Sequence, residues 1–287
     1  MPLRPRRAPL FALACAWLVL SCEQAVRVSE RHAEEHVREL AKVVDDDVEQ
    51  VRRGLPRGAK ALAGSWDSQS ERDLPALRHT LEHLRSKDPD LQVAKSTFFA
   101  LSDVRGTVMC SDQEPDRLAG VGLVGAFPAL RTVLAGEPTE TRGALREAAG
   151  AQNGSDEQWL AGAPVRDGTG VLRGMYVTGW SLRRFAYHLE ETLKHDLVTA
   201  ALRSGQARVK QPLLYVFVFA GAKTYGAPLT PLVNSEALEK LDLTAKTASG
   251  AIFHAPIEIT GRDYGIAAGR TPKLGSDVGV AVLRSET

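Results

Sequence analysis

The sequence predicts an α+β fold, a long N-terminal helix followed by two antiparallel-sheet modules. Three observations predict it. Apolar residues recur at three- and four-residue spacings through 23–86, which is helical periodicity. From Thr97 the period falls to two, with turns rich in Gly and Asp, which is strand grammar. After a helical stretch near 182–204, the same order of elements returns in a shorter form. The composition fits a folded chain: 287 residues, 44% hydrophobic and 25% charged, enough for one large or two small domains. Lys+Arg 36 against Asp+Glu 35 leaves no basic excess, so no nucleic-acid partner is expected. Three cysteines do not make a disulfide scaffold.

The first residues read as an address. Arg4, Arg6 and Arg7 precede an apolar run, 8–20, too short for a bilayer span of roughly 20 residues. Val19-Leu20-Ser21-Cys22 follows. A basic start, an apolar middle and a small residue before the cut are the marks of a secretory signal. Cleavage at residue 21 removes three arginines and no acid, taking the formal charge from +1 to −2. The mature chain, 22–287, is then expected outside the cytoplasm. Cys15 leaves with the signal and Cys22 becomes the new N-terminus, so Cys110 is the one internal thiol, and Val108 and Met109 beside it place it on a buried strand.

The elements follow in order. Val37, Leu40, Ala41, Val44, Val48 and Val51 make the apolar stripe of a first helix over 23–53. Gly54-Leu55-Pro56-Arg57-Gly58 is expected to interrupt it before a short helix at 59–66. Pro75 opens a helix to about 86, with Leu74, Leu77, Leu81 and Leu84 on one side. Strands are expected at 97–101 and 107–110, then a short helix at 127–134 and a strand within 139–148. The spans 158–165 and 171–180 read as a hairpin around Arg166-Asp167-Gly168-Thr169-Gly170. The second module reads as strand 213–219, a helix 235–241 capped by Asn234 or Ser235, and strands 251–259, 264–270 and 278–284. Ala163-Pro164-Val165 and Ala255-Pro256-Ile257, each before a turn and a strand, look like an internal echo. The expected boundaries are a signal at 1–21, a helical region at 22–90, a first, membrane-distal module at 91–185, a connecting helix at 186–210 and a second, smaller module at 211–287.

This order resembles the extracytoplasmic Cache sensor domains of bacteria, the double-Cache type in particular. Five features carry the resemblance: the long first helix; Phe99-Ala100-Leu101-Ser102-Asp103-Val104-Arg105-Gly106-Thr107-Val108 as strand, turn and strand; Ala126-Phe127-Pro128-Ala129-Leu130 leading to Gly136; Ala163 to Asp167 with Gly168 and Gly170; and 171–181 followed by a helix. They cover about 95–185 well, and the second module in outline. Residues 19–22 similarly resemble the lipobox of bacterial lipoproteins, in which Cys22 would carry the lipid and hold the chain on a membrane of the cell envelope.

The resemblance implies two PAS-like sheets, a small-molecule pocket in the membrane-distal module, and a homodimer through the long helices. The chain departs from the amino-acid-binding subgroup. It has no Arg-x-x-x-Trp-Tyr near Phe127, and Trp180 stands where an acid is expected. Without an output domain of its own, such a sensor is expected to act through a transmembrane signalling partner.

The pocket candidates are Tyr176, Thr178 and Trp180, which alternate along one strand and so share a face, with Trp159 on the neighbouring strand. Two aromatic rings with a hydroxyl between them suit a small apolar or cationic ligand. Arg131 on the short helix is the candidate for a ligand carboxylate. Phe99 and Phe127 are expected in the core. Two His-x-x-Glu-His patterns, at His32–His36 and His79–His83, have the spacing of inverted zinc peptidases. At 100° per residue both pairs fall opposite their apolar stripes, so both are expected in solvent, and no metal or cofactor is expected. Asp45-Asp46-Asp47 is likewise expected on a solvated face. Gly120-x-Gly122-x-x-Gly125 lacks the preceding strand that a dinucleotide site needs. The expected function is a lipid-anchored, ligand-binding sensor without catalysis. The alternative is an envelope adaptor whose pocket is filled by its own side chains.

Overall fold

The computed structural model describes residues 10–65, 73–91, 97–146, 156–205 and 211–286, with side chains described from residue 24 and not at residue 65. Helix α1 runs from Leu10 to Ser65 without a break. At 1.5 Å per residue its 56 residues extend roughly 84 Å. The expected interruption at 54–58 is therefore corrected: Pro56 lies inside the helix and points to solvent. The two glycines there serve packing rather than breaking. A Cβ on Gly58 would meet the Tyr176 ring at 2.6 Å, and one on Gly54 would meet Leu91 at 2.9 Å. Tertiary contact on one side outweighs poor helix propensity on the other.

Helix α2, Leu74–Lys87, is capped by Asp73, whose carboxylate accepts from the Ala76 N–H at 3.1 Å. Leu77 and Leu81 are its buried residues, and Leu74 is exposed. The first sheet contains β1 (Phe98–Ser102), β2 (Val108–Ser111), β3 (Thr139–Gly143), β4 (Gln158–Arg166) and β5 (Leu172–Ser181), in the order β2-β1-β5-β4-β3. Helix α5, Leu182–Arg203, leads to the second sheet. That sheet has β6 (Leu213–Ala220), β7 (Lys223–Gly226), β8 (Phe253–Ile259), β9 (Arg262–Arg270) and β10 (Val278–Ser285), in the order β7-β6-β10-β9-β8. All pairings are antiparallel, and the two orders are the same order repeated.

One face of each sheet packs on α1 in a continuous core. That core includes Val37, Val44, Val51 and Leu62 of the helix, Tyr176 and Trp180 of the first sheet, and Val216 and Val280 of the second. The other face of the first sheet is covered by α3 (Leu123–Ala126), a single 3-10 turn (Pro128–Leu130) and α4 (Arg131–Leu134). The other face of the second is covered by α6 (Leu232–Glu239) and α7 (Leu243–Lys246).

Several sequence expectations are corrected. The helix at 127–134 is split, because Phe127 leaves helical backbone and Pro128 restarts it as a 3-10 turn. Helix α6 starts at Leu232 with Pro231 at its N-cap, so Asn234 and Ser235 lie buried within it and do not cap it. Strand β7 and helix α7 carry too few residues to show a period, and the sequence reading missed both. Pro164 is on β4 and Pro256 on β8, yet β4 corresponds to β9 in the repeated order, so their echo joins non-equivalent strands.

Beyond the core, polar contacts bind one sheet to the other. Arg142 of β3 donates twice to Asp277, at 2.9 and 2.8 Å, and its Nε reaches Glu157 at 2.6 Å. The Tyr225 hydroxyl of β7 donates to the other oxygen of Glu157 at 2.8 Å. Arg52 of α1 pairs with Glu140 of β3 and also donates to the Lys273 carbonyl. At the rim of β6, the buried Glu190 of α5 accepts the Val216 N–H at 3.0 Å, one residue before β7 begins to pair.

The helix geometry makes a paired prediction. Gly58→Ala destabilises the protein by about 1–3 kcal/mol through overpacking against Tyr176. Gly64→Ala, where an added Cβ meets nothing within 4 Å, stabilises by up to about 1 kcal/mol. Urea midpoints of the two variants measure the difference.

Candidate functional site

Strand β5 positions the predicted residues as the period of two requires. Tyr176, Thr178 and Trp180 all face α1, and register places Trp159 of β4 directly opposite Trp180. Their surroundings are closed. Trp159 and Trp180 have ring centroids 4.6 Å apart, Trp180 and Phe185 5.1 Å, and Phe99 and Tyr176 5.6 Å. Thr178 donates its hydroxyl to the Phe98 carbonyl at 3.1 Å. The four residues are thus together as expected, but as packed core at 0–2% exposure. Arg131 is not brought to them. It is exposed on α4, across the sheet, where Leu130 and Val133 of the same segment fill the space over Phe98 and Val177.

Two polar features interrupt this core. The Tyr176 hydroxyl is buried without a hydrogen-bond partner among the described residues, and burial pushes its pKa up. Asp112 beside it is raised by burial, against the pull of the Phe99 N–H and of Arg85, which pairs with it. At the other end of the protein, His36 is buried, contrary to the expected solvent face. Strand β10 covers it, and Arg284 lies 2.6 Å from its Nε2. Its partner in the motif, His32, reaches Glu286 at 3.0 Å. Burial lowers the His36 pKa and the Arg284 charge lowers it further, while Glu39 raises it. The second pair, His79 and His83, is exposed as expected, with rings 6.4 Å apart. Asp47 is buried and Asp45 half-buried, which corrects the solvated reading of 45–47, and Asp46 is exposed. Among the described residues no group of three His, Cys, Asp or Glu converges on a metal position.

Open space lies elsewhere. A cavity of about 410 Å³ sits between α2 and the edge strand β2, with Met109 and Cys110 in its lining. A second, of about 280 Å³, lies between residues 25–29 of α1, the β8–β9 turn and residues 285–286. Neither was found from the sequence. The first is assembled from residues of α2, β2 and the loop near 116–119, and no local pattern signals their meeting. Cys110 is buried as expected, and burial pushes its thiol up to about 11.

No family model matches the chain, and no curated protein matches it. Solved structures do. The extracellular domain of vpHK1S-Z8, assigned as a histidine kinase, aligns at TM-score 0.56 and 9% identity over 92% of this chain and 93% of that one. A domain of a protein assigned to the sensory box/GGDEF family of Vibrio parahaemolyticus aligns at 0.54 and 9%, over 91% and 97%. The fold is that of double-Cache sensor domains. An extracellular ligand binding receptor from Desulfohalobium retbaense aligns at TM-score 0.49 and 11% identity over 87% of this chain, which spans only 39% of that receptor. In this double-Cache fold, no helix among the described residues is long and apolar enough to cross a membrane.

Two outcomes follow for the buried polar groups. Tyr176→Phe, which removes an unpartnered buried hydroxyl, leaves stability unchanged or raises it by about 1 kcal/mol, as chemical denaturation reports. His36 binds its proton less readily in the folded chain than in the unfolded one, whose value is about 6.5. Its contribution to stability is complete above that pH and is lost as pH falls below it. Urea midpoints between pH 7.5 and 5 record this loss, and His36→Gln flattens that part of the slope.

Proposed function

We propose that this protein is an extracytoplasmic sensor, anchored through a lipid on Cys22, that binds a small molecule in its distal module and acts on a membrane partner. The supporting observation is mechanical. A single helix, α1, carries Cys22 near one end and packs along both sheets, so a shift in the distal module reaches the membrane-side end through one rigid element. No chemistry is required of the protein. A ligand that prefers one packing of α1 against the sheets biases the chain toward it by its difference in affinity. Several acyl chains on Cys22 would supply the anchor, at about 0.8 kcal/mol for each buried methylene.

A second reading has an observation of its own. The predicted aromatic residues are packed against one another and α1, which is what an adaptor with a side-chain-filled site would have. The two readings separate in a thermal-shift screen of the full chain against organic acids, amines, purines and divalent metals. A ligand at 100 times its dissociation constant stabilises by about 2.7 kcal/mol, a readily measured rise. A hit supports the sensor, and no shift across the panel supports the adaptor. The anchor is tested apart from this: Cys22→Ser moves the protein from the detergent phase to the aqueous phase in phase partition and abolishes incorporation of labelled fatty acid.

A further inference from the structure

We infer that the cavity between α2 and β2 is the ligand site of the distal module, and that it takes a small organic cation with an apolar body. The inference rests on the sensor reading and gives it a place and a chemistry. At about 410 Å³ the cavity lies within the range of ligand pockets, roughly 300–1,000 Å³. Its depth is apolar. Met109 and Cys110 both line it although they are consecutive on β2. The pairing of β1 with β2 shifts register between Leu101 and Ser102, opposite these residues, and such an irregularity re-aims side chains. Cys110 is 3% exposed and burial keeps its thiol protonated, so it offers a small apolar surface.

The mouth sets the charge. Arg78 is the permanent cation of the lining, and it is already held by three groups. Its Nε donates to the Ser111 carbonyl at 3.1 Å, and its other nitrogens pair with Glu114 at 2.7 Å and Asp116 at 3.1 Å. Asp116 is itself fixed by the Ser111 hydroxyl at 2.6 Å and by backbone N–H groups of the loop. Glu82 stands one helical turn beyond Arg78 on α2, also in the lining, and has no ion-pair partner among the described residues. Two carboxylates of the lining, Glu82 and Asp116, and Glu114 just outside it thus stand about one committed guanidinium, with the His79 imidazole also in the lining. With that imidazole neutral, a carboxylate ligand would meet net repulsion, whereas an ammonium would meet Glu82 with its apolar body on Met109 and Cys110.

The test is calorimetric titration of the full chain in detergent with 2-phenylethylamine, 2-phenylethanol and phenylacetate, probes of one shape and three charges. The ammonium is expected to bind about tenfold more tightly than the alcohol, and phenylacetate most weakly. Glu82→Gln is expected to remove the ammonium's advantage and leave the alcohol unchanged. Ala119→Trp, a substitution at an exposed lining residue that fills the space, is expected to abolish binding of all three. Failure of the ammonium to bind, or a preference for phenylacetate, overturns the assignment of charge. Binding that survives Ala119→Trp overturns the site while leaving the sensor reading in force. A full chain that answers to no compound in the broad panel loses the sensor reading as well.

Discussion

Helix α1 has to lie against two sheets at once, and the rest of the fold is arranged around that contact. The approach is close enough to dictate small residues on both sides of it. A Cβ on Gly265 of β9 would fall 2.2 Å from the Glu30 backbone, and one on Gly269 would fall 2.8 Å from Val37. At the first sheet the helix itself supplies the small residue, since Gly58 admits the Tyr176 ring. The apolar stripe of α1 then joins the inner faces of both sheets in one core. Neither module has a separate inner core that could move freely of the helix.

The outer faces are built differently and face different demands. On each sheet they carry a smaller cluster of their own, roofed by short helices. On the first sheet that cluster is filled by Phe98, Phe127, Met175 and their neighbours, and the inner face is filled by the tryptophans. What remains open is the margin, where α2 leans on the edge strand β2. The charges at the opposite margin, on β3, run from Arg142 to Asp277 beside the second sheet and from Arg52 of α1 to Glu140. The first sheet therefore has one margin tied to its neighbour and the other left open beside α2.

Much of this was legible in the chain. Period-two segments with Gly and Asp turns located β1, β2, β4, β5, β9 and β10 to within a few residues, because half-buried strands and tight turns leave local marks. The alternation along β5 correctly put Tyr176, Thr178 and Trp180 on one face. It could not say whether that face opened on a pocket or on a helix, since an aromatic residue suits both. The error at 54–58 has the same origin: glycine reads as a breaker locally and as a packing position only when Tyr176, more than a hundred residues later, is in place. His36 looked solvated because a helical wheel knows one apolar stripe, whereas α1 is covered over a wider arc by β10. The pairing of Arg142 with Asp277, 135 residues apart, leaves no trace in either neighbourhood.

The carboxylate of Glu190 has a consequence for behaviour at high concentration. Strand β7 is short, and below Phe217 it leaves the margin of β6 without a partner strand among the described residues. An uncovered row of N–H and C=O groups on a hydrophobic strand is a template for recruiting a foreign strand, the first step toward fibres. Glu190 occupies the Val216 N–H, and Lys194 holds the same carboxylate by its other oxygen at 2.6 Å. A buried negative charge lies where an incoming backbone carbonyl would have to bind, so it both fills and repels. The connecting helix thus also acts as a guard against self-templated aggregation, a protection that a neutral, apolar residue at position 190 would forfeit.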